Sequence, residues 1–380
     1  MGNIEIIGLT EATVANTYKR FPIAVVRGEG CHVWDADGKK YLDFTSGLAV
    51  CNLGHCHPAV VDAIRRQAGS LIHISNLYHI EPQARLAGLL TKNSFADRVF
   101  FCNSGAEANE AAIKLCRRHF SLKGLPRHKI ITMERSFHGR TLGALAATGQ
   151  KKFQAGFEPL LEKFTYVPFN DARAVKDAID NETAAVMVEP VQGEGGVNVP
   201  SEGYLKELKE ICGERGVLLI FDEVQSGMGR CGTLFAHELF GVAPDIMTLA
   251  KGLGGGVAIG AMLATEAIAA AFTPGTHAST FGGNPLATAA GVAVMNAMLQ
   301  DRVLDNCRAM GGHLFASLEN LKKEFGFIKE VRGKGLLVGM ELTIPGGPIV
   351  KACLDNGLLI NCIGETVLRF IPALTVEVSL

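Results

Sequence analysis

Chemistry in this chain is concentrated where apolar, strand-like runs end on a polar residue. Lys251 follows such a run, in Leu249-Ala250-Lys251-Gly252-Leu253-Gly254-Gly255-Gly256. Most lysines are solvated and point outward. At the carboxyl end of a strand, where open α/β sheets bind ligands, a desolvated lysine has a lowered pKa and can form a Schiff base. The plainer alternative is a snorkelling surface lysine beside a glycine turn. Asp222 ends a second run, Val217-Leu218-Leu219-Ile220-Phe221-Asp222. A carboxylate in so apolar a setting must be paired. It can serve as a helix cap, a metal ligand or the partner of a cationic ring nitrogen.

Asn103-Ser104-Gly105-Ala106-Glu107 joins a strand to a helix. Ser104 can cap that helix, and the small residues leave its first amides open to a phosphate; an ordinary capped helix is the alternative. Phe137-His138-Gly139-Arg140-Thr141 offers an aromatic face and a guanidinium. Phe137 can stack on a flat ring and Arg140 can fork onto a carboxylate. Taken singly, these are a core phenylalanine and a surface arginine.

Two other patterns are weaker. Gly227-Met228-Gly229-Arg230-Cys231-Gly232 matches G-x-G-x-x-G. However, Asp222 and Glu223 precede it where a pyrophosphate would be repelled, and no helix follows directly. His55-Cys56-His57 stands in a turn before Pro58, and neighbouring residues do not easily converge on one ion. It reads as a structural turn, and no metal is expected.

The elements that must position these residues alternate. Strands are expected over 98–103, 129–133, 184–189, 217–222, 245–249 and 258–264, with helices over 106–120 and 202–214 between them. Near-continuous Val/Ile/Leu/Met runs mean strands covered on both faces, and strand–helix alternation means a mostly parallel α/β sheet. From about 285 the pattern changes to helices over 285–299 and 301–325, then short strands around 337–342, 358–361 and 367–371. This divides the chain into an N-terminal segment, 1–50, packing with a small C-terminal α+β domain, 286–380, and a large domain, 51–285.

Composition bounds the class. The chain has 380 residues, 37 Lys+Arg against 38 Asp+Glu, and 48% apolar residues. It is long enough for two to three domains, and it lacks the basic excess of nucleic-acid or anionic-membrane binders. The ten cysteines form no CxxC pair and are expected to be free, largely buried thiols. The first residues lack the basic and apolar stretches of a secretory signal. Residues 278–300 carry no charge, but the apolar part begins only after Asn284-Pro285, so a buried helix is expected there rather than a membrane span. A cytoplasmic protein follows.

Together the motifs 103–109 (NSGAEAN), 137–141 (FHGRT), 189–196 (EPVQGEGG), 221–229 (FDEVQSGMG), 249–254 (LAKGLG) and 279–285 (STFGGNP) resemble the class III pyridoxal-phosphate (PLP) aminotransferases, in the order that family has them. The resemblance implies the fold type I of PLP-dependent transferases. It implies that Lys251 would hold PLP and shuttle the proton, and that Asp222 would pair with the pyridine nitrogen. Gln225 would lie near the ring hydroxyl, Phe137 and Val224 on either face of the ring, and Gly105 and Ala106 at the phosphate. Thr280 would reach the phosphate in a partner subunit, making a homodimer. Arg140 and Arg369 would bind substrate carboxylates, with Glu194 masking Arg369 while the amine donor is bound.

Within the class the sequence is most similar to the acetylornithine branch. That implies transfer of an amine from N2-acetylornithine to 2-oxoglutarate, giving N-acetylglutamate 5-semialdehyde and glutamate. Succinylornithine, ornithine and 4-aminobutyrate aminotransferases, and a glutamate-semialdehyde-type aminomutase, are the alternatives. Leu48, where ornithine enzymes carry a tyrosine, is expected to give a hydroxyl-free pocket. The sequence given runs to Leu380, shortly after the Arg369 segment, where members of the class continue into a further helix.

Overall fold

The computed structural model describes residues 1–379. An N-terminal sheet is built from β1 (Val25–Glu29), β2 (His32–Asp35) and β3 (Lys40–Asp43). The large sheet follows: β4 (Arg98–Cys102), β5 (Lys129–Met133), β6 (Phe164–Val167), β7 (Thr183–Val188), β8 (Leu218–Asp222), β9 (Ile246–Leu249) and β10 (Gly260–Ala264). The last part contributes β11 (Ile328–Lys334), β12 (Leu337–Leu342), β13 (Leu358–Leu359), β14 (Asn361–Ile363) and β15 (Val367–Phe370).

The large sheet has seven strands in the order β4-β10-β9-β8-β7-β5-β6. Only β10 runs against its neighbours; the other pairings are parallel. β5, β7, β9 and β10 are buried at every residue, because helices cover both faces, as their unbroken apolar runs require. One face packs on the helix Gly105–Leu122 through Ala111, Ala112, Leu115 and Cys116. The other packs on Tyr204–Arg215 through Leu205, Leu208 and Ile211. The sequence pattern missed β1, β2, β3, β6 and β11, and the strand expected at 358–361 is two short strands, β13 and β14, in different sheets.

β13 pairs in parallel with β3, tying the N-terminal sheet to the C-terminal part. The small sheet has the order β11-β12-β15-β14 and packs on Val303–Glu324 and Gly347–Asp355 through Leu318, Val331, Met340, Val350 and Phe370. The helix Pro285–Gln300 packs on Pro58–Ala68 and Glu81–Lys92, its buried Ala290, Val294 and Met295 joining Val60, Leu86 and Leu90. Among the described residues no helix is long and apolar enough to cross a membrane. All ten cysteines are free, with Cys31, Cys102, Cys116, Cys212, Cys231 and Cys307 buried.

Candidate active site

β4, β5, β7, β8 and β9 point their carboxyl ends to one edge of the large sheet, and a cavity of about 420 Å³ opens there. Each strand feeds the cavity from the loop that follows it: Gly105 and Ala106 after β4, Phe137 and Arg140 after β5, Glu194 after β7, Asp222, Val224 and Gln225 at the end of β8, and Lys251 after β9. This is the position at which open α/β sheets bind ligands.

Lys251 begins a short 3₁₀ turn, Lys251–Leu253, with φ +41°, a left-handed backbone that a lysine rarely adopts. Burial lowers its pKa, and Glu194 and Asp222 pull the other way less strongly. Its ammonium makes no hydrogen bond among the described residues. The lowered pKa and the missing hydrogen bond fit a desolvated lysine better than a snorkelling one.

Asp222 is buried and hydrogen-bonded through both oxygens. Its Oδ2 accepts from Asn109 Nδ2 and His138 Nδ1, both at 2.7 Å, and its Oδ1 accepts from the Val224 amide at 2.9 Å. Asn109 Oδ1 in turn accepts from Thr248 Oγ1 at 2.7 Å. Burial works against a charged His138, but the hydrogen bond to Asp222 and that carboxylate's charge outweigh it and raise the imidazole pKa. Beside them burial lifts the Glu189 carboxyl to about 7, with the charges of His138 and Asp222 pulling in opposite directions. Glu189 accepts from the Phe137 amide at 3.0 Å and so fixes the loop that carries the aromatic ring.

His138, Asn109 and Glu189 stood inside the motifs without a role of their own. Asn109 carried a usable signal: a polar side chain on the helix face formed by Ala108, Ala112 and Leu115, every one of them buried, must find a buried partner.

Ser104 caps Gly105–Leu122, its Oγ accepting from the Glu107 amide at 3.2 Å. A Cβ on Gly105 would stand 2.7 Å from Val224 Cγ1, so glycine is what lets Val224 reach over the helix start. Arg140, exposed at the cavity mouth, has its guanidinium 4.0 Å from the centre of the Phe153 ring. Deeper in, Arg369 on β15 is fully buried, with Nη1 2.6 Å from Glu194 Oε1 and 2.9 Å from Gln225 Oε1 and with Nε 3.2 Å from Asn361 Oδ1. Burial raises the Glu194 pKa, but Arg369 and Lys251 together hold it below the usual carboxylate range.

Three expected residues do not line this cavity, and Arg369 meets it only through the lining residues Glu194 and Gln225. Leu48 is 45% exposed and does not line it; Val50, after a left-handed turn at Ser46–Ala49, does. The aliphatic wall is thus Val50 rather than Leu48. Thr280 is exposed and away from the cavity of its own chain.

The residues fit PLP. A capped helix start with bare amides suits a phosphate, Phe137 and Val224 bound a flat slot, and a buried carboxylate suits a ring N–H. His138 Nε2 is buried without a partner, as in a site whose remaining member is a ligand.

A family model, aminotransferase class-III, matches residues 13–380. The chain is 55% identical over 363 residues to the acetylornithine aminotransferase of Caldanaerobacter subterraneus subsp. tengcongensis, covering 95% of this chain and 92% of that protein. It is 54% identical to the acetylornithine aminotransferase of Methanocaldococcus jannaschii, covering 95% and 91%. Among solved structures, an ornithine aminotransferase from Toxoplasma gondii, described with PLP at partial occupancy in its active site, superposes with a TM-score of 0.94 at 34% identity, covering 99% and 91%. With the match running over nearly the whole length, the chain belongs to the class-III aminotransferases, and PLP is its cofactor.

Proposed function

We propose that this enzyme transfers the terminal amine of N2-acetylornithine to 2-oxoglutarate, yielding N-acetylglutamate 5-semialdehyde and glutamate. One observation carries the reading: Arg369, fully buried, is closed at 2.6 Å by Glu194, which lines the cavity of Lys251. Such a pair lets one site accept two unlike substrates. Masked, the arginine leaves no unpaired cation beside a donor whose reacting end has no carboxylate; unmasked, it binds a dicarboxylate. The acyl preference rests on the relatives named acetylornithine aminotransferase and on the aliphatic Val50 wall, which offers no hydroxyl to a bare ammonium.

When bound, PLP supplies an electron sink for the carbon that loses a proton. Lys251 Nζ, its pKa lowered by burial, would hold the cofactor between turnovers and afterwards remove and return that proton. Asp222, fixed by Asn109 and His138, would pair with the ring nitrogen and favour its protonated form. Gly105 and Ala106 would offer amides to the phosphate, Phe137 and Val224 would bound the ring, and Gln225 would lie near its hydroxyl. Arg140 at the mouth takes the α-carboxylate of the donor.

In the same reading two copies associate. The 71–78 loop is tied to the 279–283 turn by Asn76 Nδ2, which donates to Ser279 O at 3.2 Å and to Gly282 O at 2.8 Å. Together they expose Ile72, Leu77, Tyr78 and Phe281, an apolar patch that a second copy would cover. Thr280, in that patch, would then reach the partner's phosphate site. The unpaired cysteines suit a reducing cytoplasm.

The test is a donor panel compared by kcat/KM with 2-oxoglutarate: N-acetylornithine, N-succinylornithine, ornithine and 4-aminobutyrate. N-acetylornithine is expected to exceed ornithine by at least about tenfold. A preference for ornithine or 4-aminobutyrate overturns the reading, and sustained turnover without 2-oxoglutarate would reveal an aminomutase. Light scattering is expected to give a dimer, with Thr280→Ala weakening PLP binding.

A further inference from the structure

In the small sheet, Arg332 on β11 pairs with Gly339 on β12, Gly339 with Arg369 on β15, and Arg369 with Asn361 on β14. These residues form one row across the four strands, and directly opposed residues of an antiparallel sheet share a face. The loop bearing Glu194 lies over that face, and the row meets it position by position. Arg369 Nη1 bonds Glu194 at 2.6 Å. Gly339 leaves room for Val197, whose Cβ would stand 2.9 Å from a Cβ added there. Arg332 forks onto the loop's backbone: Nε lies 3.1 Å from Gly196 O and 3.1 Å from Val197 O, and Nη2 lies 2.7 Å from Gly196 O.

The loop needs such a hold. Val197 is fully buried with φ +52°, a left-handed conformation that a β-branched side chain keeps only when its surroundings impose it. Glu330 and Glu341 neutralise Arg332 through Nη1 at 2.8 and 2.5 Å, and its side chain is only 14% exposed. Charge-assisted bonds from a fixed, shielded guanidinium are the strong kind. The Gln192–Asn198 bridge closes the other side of the loop, so Arg332 is the grip that comes from the sheet carrying Arg369.

We propose that Arg332 is a positioning residue for Glu194: by clamping the Gly196 and Val197 carbonyls onto the Arg332–Gly339–Arg369 row, it holds Glu194 across Arg369 and so sets the balance between the two substrates. The proposal rests on the masking role given above to the Glu194–Arg369 pair. Releasing the clamp weakens the mask. That disfavours the amine donor, which needs Arg369 neutralised, and favours glutamate, which must otherwise displace Glu194.

The experiment measures both half-reactions separately on holoenzyme, following cofactor absorbance with N-acetylornithine alone and with glutamate alone, in a double-mutant cycle of Arg332→Ala and Glu194→Ala. Arg332→Ala is expected to shift the ratio of the two rate constants toward glutamate by about tenfold, and this shift is expected to disappear in the Glu194→Ala background. Arg332→Lys, which keeps the charge but not the fork, is expected to shift the ratio in the same direction by less, and it serves if the alanine variant does not fold. Hydrogen exchange adds a readout independent of activity: amides 193–198 are expected to exchange faster in the variant while those of β12 and β15 stay protected. An Arg332→Ala shift that persists undiminished without Glu194, or no shift where Glu194→Ala gives one, overturns the clamp alone. No shift on Glu194→Ala overturns the masking reading and the clamp with it.

Discussion

His138 and Asp222 are joined by a 2.7 Å hydrogen bond inside the protein, both side chains all but sealed from water. The hydrogen bond and the nearby carboxylate raise the imidazole pKa, while Asn109 fills a second acceptor site on the same oxygen. Asp222 is therefore held in one orientation before any ligand arrives.

Asp222→Ala should remove the preoriented carboxylate that would face the ring nitrogen. We expect PLP affinity to fall by at least about tenfold, and kcat to fall by about 10² to 10⁴. Fluorescence titration of the apoprotein with PLP gives the first quantity and steady-state kinetics the second. His138→Asn should weaken both in the same direction and less. Unchanged PLP affinity in Asp222→Ala would remove the assignment.

Lys251→Ala should abolish turnover by at least about 10³-fold, because no other lysine lines the cavity to take its place. Borohydride treatment of the wild-type holoenzyme followed by peptide mapping should recover the cofactor on the peptide containing Lys251. Label on any other lysine would contradict the assignment.

Much of this site was legible because it is built from strand ends. Apolar runs closing on Asp222 and, one residue later, on Lys251 announce both the sheet and its ligand edge, and a capped, small-residue helix start announces Gly105 and Ala106. What sequence could not supply was which residues surround one atom. The partners of Asp222 come from 84 and 113 positions away, and only the crossing of helix and loop over β8 brings them together. Leu48 failed for a local reason: the left-handed run Ser46–Ala49 turns the chain, so the side chain facing the cavity is two positions further on. β6 and β11 were missed because neither is an unbroken apolar run. β6 is mostly half-exposed at the sheet edge, and β11 alternates charged residues with Val331.

Arg369→Ala should separate the two substrates. A buried charge-assisted contact contributes about 1.5–3 kcal/mol, so KM for 2-oxoglutarate should rise by roughly 10 to 100-fold. KM for N-acetylornithine should change far less, because the arginine is masked in that half-reaction. Arg140→Ala, at the mouth, should weaken both carboxylate substrates. Equal loss of both substrates in Arg369→Ala would contradict its specific role.

The last expectation concerns stability and lies away from the cavity. His55 Nε2 is 2.8 Å from Asp43 Oδ2, and Asp43 Oδ1 accepts from the amides of Thr45 and Ser46 at the entry to the left-handed turn that precedes Val50. The Asp43 hydrogen bond, aided by the Cys51 thiol, pushes the His55 pKa from 6.5 up to about 10. Burial would raise the Asp43 carboxyl, but His55 and Thr45 hold it below 3.8. The folded protein thus keeps His55 protonated where the unfolded chain has released the proton. The stability from a raised histidine is complete below 6.5 and disappears as pH climbs to about 10. That from a depressed carboxylate is present above 3.8 and is lost in more acid solution. The pair stabilises the fold most between these limits, so urea unfolding at fixed protein concentration should show stability declining from pH 6.5 toward pH 10. His55→Gln should flatten that decline and shrink the acid limb to the part that Thr45 supplies. Parallel curves for the two proteins would show that His55 contributes none of the slope.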